Sequence, residues 1–236
     1  MKLQAKEIKK LMPNRVLVRA NRASEELKSG IITHKSGLLI DGRFEKEYHT
    51  ITDGTVIKIC ERLFYNRIPQ DNSLEWDCDN ELEIGDTVIF HYLSQLNRFD
   101  RGEYFEDDGN IYFIMKYDEL FVAERDGKII CINGWNLVEP IDKEQPKTSL
   151  IMPDKTKSEK RSETLGIVRH ISKPLREYKY ITDSLGQHLQ DTDEIKAGDT
   201  IGFNRAFSIL LQNDMYNILD KTYYRIQRKD IFTIKN

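Results

Sequence analysis

Apolar positions fall into short runs along this chain, with no long helical period. Val16-Leu17-Val18, Thr55 to Ile59, Thr87 to Phe90 and Leu120 to Ala123 are rich in β-branched or aromatic residues and bounded by Gly, Asp or Asn. That pattern predicts strands. Gly85-Asp86 and Gly198-Asp199 are turn dipeptides set just before a strand. Asp126-Gly127 and Asn133-Gly134 are hairpin-type turn signals. The opening stretch, Lys2 to Lys10, has poor apolar spacing and predicts one or two helical turns at most. Many short strands with long irregular connections predict an all-β chain of small barrels.

The pattern repeats. LEIGDTVIF at 82–90 is answered by IKAGDTIGF at 195–203, which places Gly-Asp-Thr at offset 113. GTVIKI from Gly54 is answered by GIVRHI from Gly166, an offset of 112. YFIMKYDELFVA from Tyr112 is answered by YYRIQRKDIFTI from Tyr223, an offset of 111. RVLVRA from Arg15 and NLVEPI from Asn136 match more loosely. Three ordered matches at nearly constant offset predict two tandem domains, 1–126 and 127–236, each of an ordinary domain size. Two copies are too few for a solenoid.

Two stretches read as loops rather than core. Residues 143–163, KEQPKTSLIMPDKTKSEKRSE, are almost all Lys, Glu, Ser, Thr, Asp and Pro, a composition too polar to order itself by burial. The corresponding stretch of the first repeat is about 21–53. Each contains apolar islands: Ile31-Ile32 after Gly30, Leu38-Leu39-Ile40 after Gly37, and Leu150-Ile151-Met152. An apolar island in a polar loop either folds back onto its own domain or docks in a partner's groove and orders on binding. Val18 to Ile31 spans 13 residues, as does Val138 to Ile151; Ile40 to Gly54 spans 14, as does Met152 to Gly166. Counting from the first strand thus selects Ile31-Ile32, and counting back from the glycine selects Leu38 to Ile40.

Composition narrows the function. The 36 Lys+Arg and 39 Asp+Glu leave a net charge of -3, which disfavours nucleic acid as the main partner. No apolar run approaches the ~20 residues of a membrane helix, and MKLQAKEIKKLMP has no signal-peptide core. Cys60, Cys78 and Cys131 form no C-x-x-C pair, and a cytoplasmic, reducing compartment is the simplest reading. Phosphate-cradling and nucleophile-elbow motifs are absent from the sequence, and the five histidines are scattered. Asp77, Asp79 and Glu81 alternate like the start of a calcium loop but lack its glycine, and read as a solvated acidic stretch. Tyr112-Phe113 and Tyr223-Tyr224 could stack on bases, but strand core is the better reading. No catalytic residue, metal or cofactor is expected.

The ordered motifs resemble the GroES-type co-chaperonins. Arg15-Val16-Leu17-Val18 resembles that family's first strand, and Ser29-Gly30-Ile31-Ile32-Thr33 its loop clip. Gly54-Thr55-Val56, the run Leu82 to Phe90, and Ile114-Met115 followed by Asp118 to Val122 resemble its remaining strands. The second repeat keeps Gly166-Ile167-Val168, Gly198-Asp199-Thr200-Ile201 and Asp230-Ile231-Phe232. The tandem arrangement is similar to the plastid double co-chaperonins. Both copies carry enlarged charged insertions, Glu61 to Glu81 and Ser172 to Glu194, where the family has a short hairpin. In the second copy Ser149 stands where the clip's glycine would be.

The resemblance implies two small GroES-like β-barrels with long mobile loops. It implies a non-enzymatic lid: barrels assembled into a homo-oligomeric ring that caps a GroEL-type chaperonin during ATP-dependent protein folding. It makes the clips, Gly30-Ile31-Ile32-Thr33 or Leu38-Leu39-Ile40 together with Leu150-Ile151-Met152, the chaperonin-binding residues. The alternative is a structural or assembly protein, for example of phage origin, that reuses the barrel without binding a chaperonin.

Overall fold

The structure is a computed structural model describing residues 4–21, 31–33, 39–41, 52–63, 78–91, 93–94, 103–142, 161–173, 195–213, 216, 218–227 and 230–235. The chain divides into two compact units, Met1–Asn133 with Asp214–Ile218, and Gly134–Asn213 with Leu219–Asn236. Apart from two helical residues at 93–94, the described elements are strands and three short 3-10 turns, so the described fold is all-β. Among the described residues, no helix is long and apolar enough to cross a membrane.

Unit 1 contains β1 (Arg15–Ala20), β2 (Ile31–Thr33), β3 (Leu39–Asp41), β4 (Asp53–Ile59), β5 (Thr87–Phe90), β6 (Tyr104–Asp107), β7 (Asn110–Lys116), β8 (Leu120–Arg125) and β9 (Lys128–Cys131). Seven of them form one antiparallel sheet in the order β6-β7-β1-β4-β5-β8-β9. Unit 2 contains β10 (Trp135–Asp142), β11 (Arg161–His170), β12 (Thr200–Phe203), β13 (Ile209–Leu211), β14 (Tyr223–Gln227) and β15 (Ile231–Lys235). Its sheet runs β13-β14-β10-β11-β12-β15. That is the order of unit 1 without a counterpart to β9. No ladder between described strands closes either sheet.

The duplication extends to single hydrogen bonds. Gly85 N–H donates to Val56 O at 2.8 Å, and Gly198 N–H to Val168 O at 2.8 Å. The Asp86 carboxylate accepts from Glu83 N–H at 2.7 Å, and that of Asp199 from Lys196 N–H at 2.7 Å. Both glycines sit at positive φ, 101° and 102°, where a side chain is strained, so each Gly-Asp pair turns the chain into its next strand. The same bulge recurs in both sheets: the ladder shifts between Leu17 and Val18 in unit 1 and between Leu137 and Val138 in unit 2. A bulge raises local twist and bends the strand.

The sheets are rolled. β7 and β8 are joined by only the 3-10 turn Tyr117–Glu119, yet four strand spacings separate them in the sheet order. A flat sheet would hold them about 19 Å apart, and the four chain steps from Lys116 to Leu120 reach about 14 Å at full stretch. In unit 2 only residues 228–230 separate β14 from β15, so the same limit applies.

Burial follows from the roll. Val18 stands opposite Phe113 on one side and Val56 on the other, and all three are fully buried. Leu17 points to the other face, where it joins Leu11, Cys60 and Tyr112, with Ala5, Ile8 and Phe105 packed against them. The expected opening helix is one 3-10 turn, Ala5–Glu7, feeding this outer cluster. In unit 2 the core is Val138, Val168, Ile195, Ile201, Phe203, Tyr224 and Ile226.

Candidate functional site

The expected binding residues belong to the long β1–β4 and β10–β11 connections. In the first, Ile31-Ile32-Thr33 forms β2, and Leu39-Ile40 lies in β3. The strands pair antiparallel, with Ile31 opposite Asp41, Ile32 opposite Ile40 and Thr33 opposite Leu39. They make a two-stranded sheet separate from the seven-stranded one. The stretch expected as loop therefore contains regular structure, and its two rival islands are brought together as partners. Gly30, Leu38, Leu150, Ile151 and Met152 lie outside the described residues.

The stem of the first connection carries a polar clasp that sequence reading missed. The Asn21 side-chain amide donates to Asp53 Oδ2 at 2.8 Å and accepts from the Thr55 hydroxyl at 2.9 Å. Asp53 is 7% exposed, so this contact partners a buried carboxylate just beyond the last β1–β4 pair, Ala20 with Gly54. A signal existed in the Asp53-Gly54-Thr55 run, but nothing local ties it to Asn21, 32 residues away. In the second connection β11 begins at Arg161, opposite Asp142. Residues 161–163, expected at the end of the loop, are strand because the β10–β11 ladder runs that far.

At the base of the first charged insertion, Glu81 is an internal acceptor rather than a purely solvated acid. Its Oε2 accepts from the Tyr117 hydroxyl at 3.1 Å and from Asn133 N–H at 2.7 Å. Burial first, then the neighbouring Cys78 and Glu81, push the Tyr117 hydroxyl well above the ordinary tyrosine range. It therefore serves as a neutral donor. Among the described residues, no group of three or more His, Cys, Asp or Glu is placed to hold a metal ion. Tyr112, Phe113, Tyr223 and Tyr224 are buried and present no face to a base.

The two outer flanks differ. β8 is paired on its outer side by β9, with Val122 opposite Cys131 and Ala123 opposite Ile130. No described strand pairs with the outer side of β15. Phe232 is 64% exposed, whereas its counterpart Phe121 is 5% exposed and packs edge-on against Tyr216, with centroids 6.3 Å apart.

No protein-family model matches the chain, and no curated protein does.

Proposed function

We propose that this chain is a co-chaperonin lid of the GroES type. In this reading each rolled sheet is a small β-barrel, and the long connection between its first two sheet strands is a docking arm. The observation that carries the reading is the separate β2–β3 pair. The apolar islands of the first connection are drawn into a sheet of their own, outside the sheet that builds the unit. A structural barrel has no use for apolar residues placed there, whereas a lid does.

The energetics suit a lid that must also let go. Burying three aliphatic side chains in a chaperonin groove yields roughly 5–9 kcal/mol gross. Ordering a handful of backbone residues takes back about 1–2 kcal/mol each. One arm binds weakly, and several arms on one ring gain affinity of order 10²–10⁴ by avidity.

The flanks supply the ring. An unpaired sheet edge accepts another strand, and no described strand pairs with the outer side of β15. The segment that fills the matching edge of unit 1 is β9, which immediately precedes the second repeat. Its counterpart ahead of the first repeat is the Ile8 to Leu11 stretch. A second copy would offer that stretch to β15, giving a head-to-tail series able to close.

Incubation with a purified GroEL-type chaperonin, with and without ATP, tests this directly. The expected result is nucleotide-dependent co-sedimentation, lost when Ile31, Ile32, Leu150 and Ile151 are all replaced by Ser. A chain that oligomerises but never binds the chaperonin would instead be the structural protein of the alternative reading.

A further inference from the structure

The two apolar islands of the first repeat lie at distances that the single island of the second repeat satisfies by itself. From Val138 to Ile151 is 13 residues and from Met152 to Gly166 is 14. In the first repeat those same counts land on Ile31 and Ile40. Ile31 and Ile40 are nine positions apart, whereas Ile151 and Met152 are adjacent. The difference of eight equals the difference between the Val18–Gly54 span of 36 and the Val138–Gly166 span of 28. By these counts the extra length of the first connection falls between Ile31 and Ile40, and both flanks keep their length. The structure then returns the separated halves to each other: Ile31 faces Asp41 and Ile32 faces Ile40 across an antiparallel ladder.

We infer that the two islands form one clip, lengthened by eight residues between Ile31 and Ile40 and held together by β2–β3 pairing, and that they dock as a unit. This rests on the co-chaperonin reading for what the clip binds, and on the ladder alone for its being one element. An isolated two-stranded sheet is marginal in water, and directly opposed residues are the pairs through which such a sheet is stabilised. Loss of either half thus disables the other. In sequence the second repeat has a single apolar island, Leu150-Ile151-Met152, where the first has two.

A partner-free experiment tests the ladder. Ile31→Cys with Asp41→Cys places thiols at directly opposed positions, about 4.5–5.5 Å apart at Cα, within the range a disulfide bridges. This full-length variant should close its bridge under mild oxidation much faster than Ile31→Cys with Thr33→Cys, which puts both thiols on one strand. Failure to close overturns the single-clip inference and leaves the co-chaperonin reading intact.

Chaperonin binding then tests the coupling, in a chain whose second arm is silenced by Leu150→Ser and Ile151→Ser. Ile32→Ser and Ile40→Ser should each weaken binding at least about tenfold, and the double variant no further than about twofold beyond the worse single. The variant bridged between positions 31 and 41 should bind, once oxidised, within about twofold of its reduced form. Multiplying effects, an effect at one island only, or binding abolished by the bridge would each overturn the inference. Absence of any capture by the unmodified chain would overturn the function itself, and the docking role with it.

Discussion

Phe90 on β5 and Phe113 on β7 meet edge to face with centroids 6.4 Å apart, although three strand spacings separate their strands. In a flat sheet those strands would lie about 14 Å apart. The counterparts in unit 2, Phe203 and Tyr224, meet at 5.2 Å. One aromatic pair per unit thus bridges the inside of each rolled sheet, and both pairs are built from equivalent positions of the repeat.

Phe113→Ala and Phe203→Ala should each destabilise their own unit by about 3–5 kcal/mol, the range for removing a buried phenylalanine ring. Both residues are fully buried. Thermal unfolding of the two variants should show different halves of the transition moving. Equal, small shifts in both would argue against the pairs as the centres of two cores.

Gly54 and Gly166 stand where β4 and β11 press closest on the neighbouring first strand. A Cβ on Gly54 would lie 2.5 Å from Val18 Cγ1 and 2.6 Å from Arg19 O; on Gly166, 2.4 Å from Val138 Cγ1 and 2.7 Å from Glu139 O. Because the backbone oxygen cannot swing aside as a flexible side chain can, Ala at either position should cost about 1–3 kcal/mol or more. Chemical denaturation should report a lower midpoint for both variants, with matching magnitude.

Arg125 holds the Gly85-Asp86 turn against the end of β8. Its Nε donates to Asp86 Oδ1 at 2.7 Å and its Nη2 to Asp86 Oδ2 at 2.8 Å and to Glu81 O at 3.0 Å, while Nη1 pairs with Glu83. The Asp86 side chain is 1% exposed, so Arg125→Ala removes the charged partner of a buried carboxylate and leaves it the Glu83 N–H. Because the arginine itself is partly exposed, a cost of about 2 kcal/mol is expected, below that of breaking a fully buried pair. Adding Asp86→Asn should recover part of it. Asn236 stands at the equivalent position of the second repeat, so the effect should be confined to unit 1.

Acid should weaken unit 2 through two groups. Burial lowers the His170 pKa below its ordinary 6.5, with nearby Asp220 opposing. The unfolded chain then binds the proton more readily than the folded one, so stability falls as pH drops below about 6.5. Glu139 is lowered from 4.5 chiefly by the hydrogen bond from Lys221 at 2.9 Å and next by Arg169 at 2.5 Å, against its own desolvation. Its contribution is present above 4.5 and lost as pH falls further. His170→Gln should flatten the stability profile just below pH 6.5, and Glu139→Gln should flatten it below 4.5. Urea titrations at a series of pH values separate the two windows.

Ile234→Lys would place a charge on the edge of β15, a device that blocks strand addition. Sedimentation velocity should show the parent chain self-associating at micromolar concentration and the variant shifted toward the single chain. Ile234 is 37% exposed, so the fold should survive, as a melting curve would show. A parent that stays single under these conditions and with chaperonin present would remove the ring from the proposal.

Positions whose structure depends on near neighbours were legible from the residues alone. The strand runs, the Gly-Asp turns at 85–86 and 198–199, and the Asp126-Gly127 turn between β8 and β9 need only β-branched side chains and backbone freedom at positive φ. The duplication was equally visible, because two similar sequences carry the same local preferences in the same order. Tertiary structure decided what depends on partners far apart in the chain. It paired Ile32 with Ile40, tied Asn21 to Asp53 over 32 residues and turned Glu81 into an acceptor for Tyr117 and Asn133. It also covered β8 with β9, whereas no described strand pairs with the outer side of β15, although the two strands have similar sequences. Side-chain alternation tells a strand which face is apolar, but ladder hydrogen bonds are made by backbone groups common to every non-proline residue. The neighbour on an edge is therefore chosen by which chain segment reaches it.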